Sequence, residues 1–181
     1  MSTPKPALSR ETLLPLLAGH VMEHGLAGAS LRPLARAAGT SDRMLIYHFG
    51  SKDALVEALL EHIAQMYRQA LDAAYPSAPS RSRRECAERL LAIARAPMFA
   101  PFLRLWWEIV AGAAKGDAAF RASAAAMMDS QLAWFEAHMP HDDPDPKRGA
   151  LLVATVIEGS LMFDALGLGE RVEAALSQLD G

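Results

Sequence analysis

Between Ser30 and Ser51 the sequence places three serines able to cap helices and two glycines able to stop them within 22 positions. This punctuation constrains the fold more than any other feature. A serine hydroxyl satisfies a free amide at a helix start, and glycine enters the left-handed region where helices end. Ser30 therefore caps a short helix over Leu31–Ala38, closed by Gly39, and Ser41 opens another to about His48. Gly50 breaks that helix, and Ser51 starts a long amphipathic one reaching about Tyr75. Upstream, Ser9 caps a helix to about His24, with Leu13, Leu17 and Val21 at helical spacing and Gly25 as its stop. Pro15 is awkward there, because it lacks a backbone donor.

The remainder also reads as helix. No run of alternating β-branched residues bounded by hairpin turns supports a strand. The stretch PSAPS, Pro76 to Ser80, reads as a linker. Helices are expected at about 82–95, 101–114, 117–138, 146–166 and 169–179, parted by Pro97, Gly116, the PHDDPDP segment and Gly167/Gly169. A chain of 181 residues buries about 70% of its unfolded surface without staples. Its one cysteine, Cys86, excludes an internal disulfide framework and a zinc site built on cysteines. The longest apolar stretch, Ala150 to Ile157, stops at Glu158, far short of the roughly 20 residues that span a bilayer. The polar N-terminal stretch MSTPKPALSR lacks the apolar core of a signal peptide. The expectation is a cytoplasmic protein with no membrane partner and no cofactor.

The net charge of −3 conceals a division. Residues 1–52 carry six basic and three acidic residues, a net of +3, whereas residues 53–181 carry a net of −6. The basic end also holds two short helices joined by a glycine turn. That is the geometry of a helix-turn-helix, whose second helix enters a major groove about 12 Å wide.

The segment SLRPLARAAGTSDRMLIYHFGSKDALVEALL, Ser30 to Leu60, resembles the DNA-binding head of the TetR family of bacterial transcriptional regulators. The matching elements are Leu34-Ala35 with Ala38-Gly39, Thr40-Ser41, Tyr47-His48-Phe49, Lys52 and Leu55, with Glu23-His24-Gly25 upstream. The resemblance implies an all-α protein of about nine helices, opening with a three-helix DNA-binding domain at residues 1–52. A connecting helix over 53–75 and a larger helical ligand-binding and dimerisation domain over 76–181 would follow. It also implies a recognition surface of Thr40, Ser41, Asp42, Arg43, Met44, Ile46, Tyr47 and His48. Within it Arg43 is the candidate for bidentate readout of guanine. Thr40, Tyr47 and His48 would position the backbone, Arg32 would reach a base edge or a phosphate, and Lys52 would meet phosphate beside a helix N-terminus. Asp42, Met44 and Ile46 depart from the lysine or small polar residue, threonine and tyrosine common in the family. The carboxylate of Asp42 repels phosphate but can accept from cytosine, while Met44 and Ile46 favour a thymine methyl.

The second half is rich in aromatic and sulfur side chains. Phe99, Phe102, Trp106, Trp107 and Val110 form one set, Met127, Met128, Gln131 and Phe135 another, with Met162 and Phe163 near the end. Such residues form either ordinary core or an adaptable pocket for a small apolar or aromatic ligand. Glu108, Gln131 and Asp164 are its candidate polar contacts. The run GALLVATVIEGSLMF is apolar around most of its circumference, so the helices at 117–138 and 146–166 are expected to pair with their copies in a homodimer. Small residues Gly149, Ala150, Ala154, Gly159 and Ser160 would allow that close approach. The resemblance then implies a repressor released from a pseudo-palindromic duplex operator by ligand. A DNA-binding protein without an inducer is the alternative. No catalytic or metal-ligating set is expected, although His20-Val-Met-Glu23-His24 fits the H-x-x-E-H pattern of some zinc hydrolases. It supplies two ligands and no fixed third, and remains a remote alternative.

Overall fold

The computed structural model describes residues 8–176, and every regular element among them is helical. Helix α1 spans Arg10–His24, α2 Leu31–Ala37, α3 Asp42–Phe49, α4 Lys52–Ala74 and α5 Arg83–Ala94. Helix α6 spans Ala100–Ala114, α7 Ala118–Ala137, α8 Pro146–Ala165 and α9 Gly169–Leu176, with short 3-10 turns at Leu26–Gly28 and Pro97–Phe99. Residues 177–179, where the last helix was expected to end, lie outside the described residues.

The serine caps form as the sequence predicts at three of these starts. Ser9 and Thr12 satisfy each other's backbone amides, Ser41 accepts from the Met44 amide at 3.3 Å, and Ser51 accepts from Ala54 at 3.0 Å. Helix α1 continues through Pro15; both Pro15 and Glu11, whose carbonyl loses its helical donor, are exposed, where a lost bond costs least. Gly39, at φ 62°, closes α2: its amide donates to Arg36 and the Thr40 amide to Ala35 at 2.9 Å. These two bonds make a left-handed helix stop that turns the chain sharply into α3.

The chain divides into two compact units. The first runs up to Ala70 and includes Pro101–Met127; the second combines Leu71–Ala100 with the chain from Met128 onward. In the first unit Leu13, Leu17 and Val21 of α1 share a core with Leu34, Ala35, Leu45 and Phe49 of α2 and α3. Leu55, Leu59 and Ile63 of α4 and Leu105 and Ile109 of α6 belong to the same cluster. The α6–α7 turn packs tightly, since a Cβ at Gly112 would stand 2.3 Å from the Phe120 ring.

In the second unit α8 packs on α5. Gly149, Ala150, Val153, Ala154, Ile157, Ser160 and Leu161 are buried, as are Cys86, Leu90 and Leu91 of α5. This corrects one expectation: Gly149, Ala150, Ala154 and Ser160 are already covered within the chain and do not face a second copy. A Cβ at Gly149 would lie 2.9 Å from both the Arg83 guanidinium and the Asp143 carboxylate, so the small residue serves a contact inside this unit. That ion pair is bidentate at 2.7 and 2.6 Å, and the Asp143 side chain is only 2% exposed. The opposite face of α8 stays apolar yet open: Leu151, Leu152, Met162 and Phe163 are exposed, as is Leu166 just past its end.

The linker is pinned rather than loose. Tyr75 and Ser80 share a hydroxyl hydrogen bond of 2.8 Å, and Arg89 donates to the Ala78 carbonyl. Tyr75 also stands edge-on to Trp134, which stacks on His138 at 3.7 Å and donates to Asp72 at 2.6 Å.

Candidate nucleic-acid interface

Helix α3 has two faces because its apolar residues recur at helical spacing. Leu45 and Phe49 are buried in the head's core, while Arg43 points outward and Tyr47 is 78% exposed. Asp42, Met44, Ile46 and His48 are half-buried along the rim between these faces. The Ser41 hydroxyl is occupied as the helix cap. Arg32 is exposed on α2, and Lys52 is exposed in the first turn of α4, beside the amides capped by Ser51. Thus α3 presents a guanidinium and a phenol outward, with further cations on the helices before and after it. That arrangement suits base edges at the centre and phosphates at the margins.

Polar atoms within the head sharpen two roles. The Thr40 hydroxyl oxygen and His48 Nε2 are enclosed and meet no hydrogen-bond partner in the structure. Tyr47 lies edge-on to the His48 ring at 5.2 Å. Arg10 of α1, which the sequence reading left out of the site, sits 5.1 Å over the Phe49 ring and holds the N-terminus of α1 against α3.

The side chains expected around a ligand are distributed over both units. Phe102 and Met127 pack at the edge of the first unit's core, where Tyr67 meets Phe102 edge-on at 5.5 Å. Trp106, Trp107 and Val110 are half-buried on α6, and Met128 and Gln131 are half-buried on α7. Phe99 and Phe135 are fully buried in the second unit, whereas Met162 and Phe163 lie on the open face of α8. Two polar candidates are already engaged: Asp164 pairs with Arg95 at 2.7 Å, and Glu108 accepts from the Leu26 amide at 2.7 Å.

The H-x-x-E-H histidines lie against each other, and His20 Nε2 is enclosed with no hydrogen-bond partner in the structure. The His20 and His24 rings stack at 4.3 Å, and His24 Nδ1 bonds the His20 carbonyl at 3.0 Å. Among the described residues no three His, Cys, Asp or Glu side chains group as metal ligands. Cys86 is buried beneath Tyr75, and burial pushes its thiol above the ordinary range, which disfavours the nucleophilic thiolate.

Residues 21–59 match the model of bacterial regulatory proteins of the tetR family. In these residues the chain is similar to the TetR-family head. Beyond it, the fold extends the likeness over most of the chain. A TetR-family transcriptional regulator from Cytophaga hutchinsonii is 16% identical, with a TM-score of 0.67 over 94% of this chain and 90% of its own. A transcriptional regulator from Streptomyces coelicolor A3(2) is 26% identical, with a TM-score of 0.62 over 91% and 94%. The multidrug binding protein EbrR, solved with proflavin, is 22% identical, with a TM-score of 0.61 over 94% and 98%. A comparison with curated proteins finds no match. No described helix is long and apolar enough to cross a membrane.

Proposed function

We propose that this chain is a dimeric, ligand-responsive transcriptional repressor that binds a pseudo-palindromic DNA operator through α3. The outward face of α3, with Arg43 and Tyr47 exposed over a buried Leu45 and Phe49, carries the reading. Arg43 reads a base edge; Arg32 and Lys52 anchor phosphates; Thr40, Ser41, Asp42, Met44, Ile46, Tyr47 and His48 fix register and the remaining preference. Residues 1–52 form the reading domain, 53–75 the connecting helix, and 76–181 the ligand-binding and dimerisation domain.

The open apolar face of α8 is the natural dimer seam, with α7 beside it in the pairing. Two heads on a twofold axis would meet half-sites about 34–36 Å apart. EbrR binds a planar aromatic dye, which supports an apolar or aromatic effector here, contacted by side chains among Phe99, Phe102, Trp106, Trp107, Val110, Met127, Met128, Gln131, Phe135, Met162 and Phe163. Helix α4 is continuous from the head to Ala74, so its displacement by ligand would reorient the head. A DNA partner places the protein in the cytoplasm, and the reading requires no catalysis.

Two substitutions test the surface. Arg43→Ala should lose about 1–3 kcal/mol of discrimination at one base pair while retaining nonspecific binding. Lys52→Ala should weaken all sequences alike and reduce the salt slope by roughly one. Unchanged affinity and unchanged base preference in both variants, measured by titration over a range of salt, would refute this surface.

A further inference from the structure

Helix α6 bears two charged side chains, Arg104 and Glu108, one turn apart on an otherwise uncharged sequence. Both reach the same place. Arg104 donates to the carbonyls of Met22 and Glu23, at the C-terminal end of α1. Glu108 accepts the Leu26 amide at 2.7 Å, immediately after α1 stops at Gly25. Helix ends leave carbonyls and amides without intrahelical partners, and a guanidinium suits the negative end of the helix dipole. Helix α6 thus supplies both charges that this break in the backbone lacks.

Gly25 makes the fit close. Its φ of 72° belongs to the left-handed region, and a Cβ there would stand 2.4 Å from Glu108 Oε1. Leu105 and Ile109, on the same helix, are buried in the core shared with Leu13, Leu17 and Val21 of α1. Sliding of α6 by a fraction of a turn would break directional bonds before it disrupted the less directional apolar contacts. At its other end α1 holds Phe49 of α3 through Arg10. Polar pins therefore fix α1 at its C-terminus to α6 and at its N-terminus to the recognition helix.

We propose that Arg104 and Glu108 are positioning residues through which α6 sets the pose of α1, and with it the pose of α3 for DNA. This rests on the DNA-binding reading above and adds a route into the head besides α4. The clamp touches no DNA, so its effect is on the population of heads posed to bind.

The test uses the full-length chain, duplexes selected by the wild type from a random pool, and hydrogen exchange at the Leu26 amide. Glu108→Ala should weaken the selected duplex by about tenfold, and duplex should no longer raise Leu26 protection as it does in the wild type. Glu108→Gln keeps an acceptor oxygen and should retain most of both. Arg104→Ala, which leaves the Leu26 bond intact, should give a smaller loss of affinity and serves if Glu108→Ala fails to fold. Wild-type selection of a site combined with unchanged affinity in Glu108→Ala and Arg104→Ala would overturn the clamp but leave the DNA reading standing. Failure of the wild type to select any duplex would overturn both.

Discussion

Helices α3 and α8 each bury one face in the chain's own core and leave the other open, but the open faces are chemically opposite. On α3 the open side carries Arg43 and Tyr47, with Lys52 just beyond it. On α8 it carries Leu151, Leu152, Met162 and Phe163, with Leu166 just past its end 65% exposed. A polar, cationic face gains from a polyanion and loses little in water. An apolar face of this extent is costly in water and gains from a matching apolar surface. The contrast teaches that the two faces suit partners held by different forces, and salt should weaken binding at the α3 face far more than at the α8 face.

The largest effect expected from breaking this contrast is at α8. Leu152→Arg adds a charge to the open face without touching the buried one. It should convert a dimer at micromolar concentration into a monomer by equilibrium sedimentation, and weaken a two-half-site duplex by roughly 100-fold through lost avidity. A dimer that survives Leu152→Arg would show that the open apolar face is not the seam.

A smaller effect is expected at the Arg83–Asp143 pair, which belongs to the inner side of the second unit. The hydrogen bond from Arg83 holds the Asp143 carboxyl below its ordinary range and raises the guanidinium. A depressed carboxyl contributes stability at neutral pH that is lost as pH falls through its folded-state value, so this contribution should fade only below about pH 4. Asp143→Asn should lower the denaturation midpoint at pH 7 and flatten the acid limb of the stability profile. Equal acid limbs in the two proteins would remove the pair from the stability of this unit.

The head was legible because its signals are local. Each serine cap and glycine stop acts within three or four residues, so Ser9, Ser41 and Ser51 started helices where the sequence placed them. The spacing of Leu45 and Phe49 likewise separated the buried side of α3 from Arg43 and Tyr47. Helix α8 was less legible. Apolarity around most of its circumference does not say which side meets the same chain, and the small residues turned inward because α5 needed the close approach. The contact made by Glu108 was illegible for a different reason. Its partner, Leu26, is 82 positions away, and no periodicity carries a contact of that range. The one trace in the sequence was the isolated pair of charges, Arg104 and Glu108, on an apolar helix.

The decisive measurement is selection by the wild-type protein from a pool of random duplexes, followed by titration of the retained sequences at several salt concentrations. The expected pool converges on two inverted half-sites with centres about one helical turn, 34–36 Å, apart, bound with an affinity that falls linearly in log salt. A retained pool indistinguishable from the starting one, or an affinity indifferent to salt, would contradict the assignment of α3 as a DNA-reading helix.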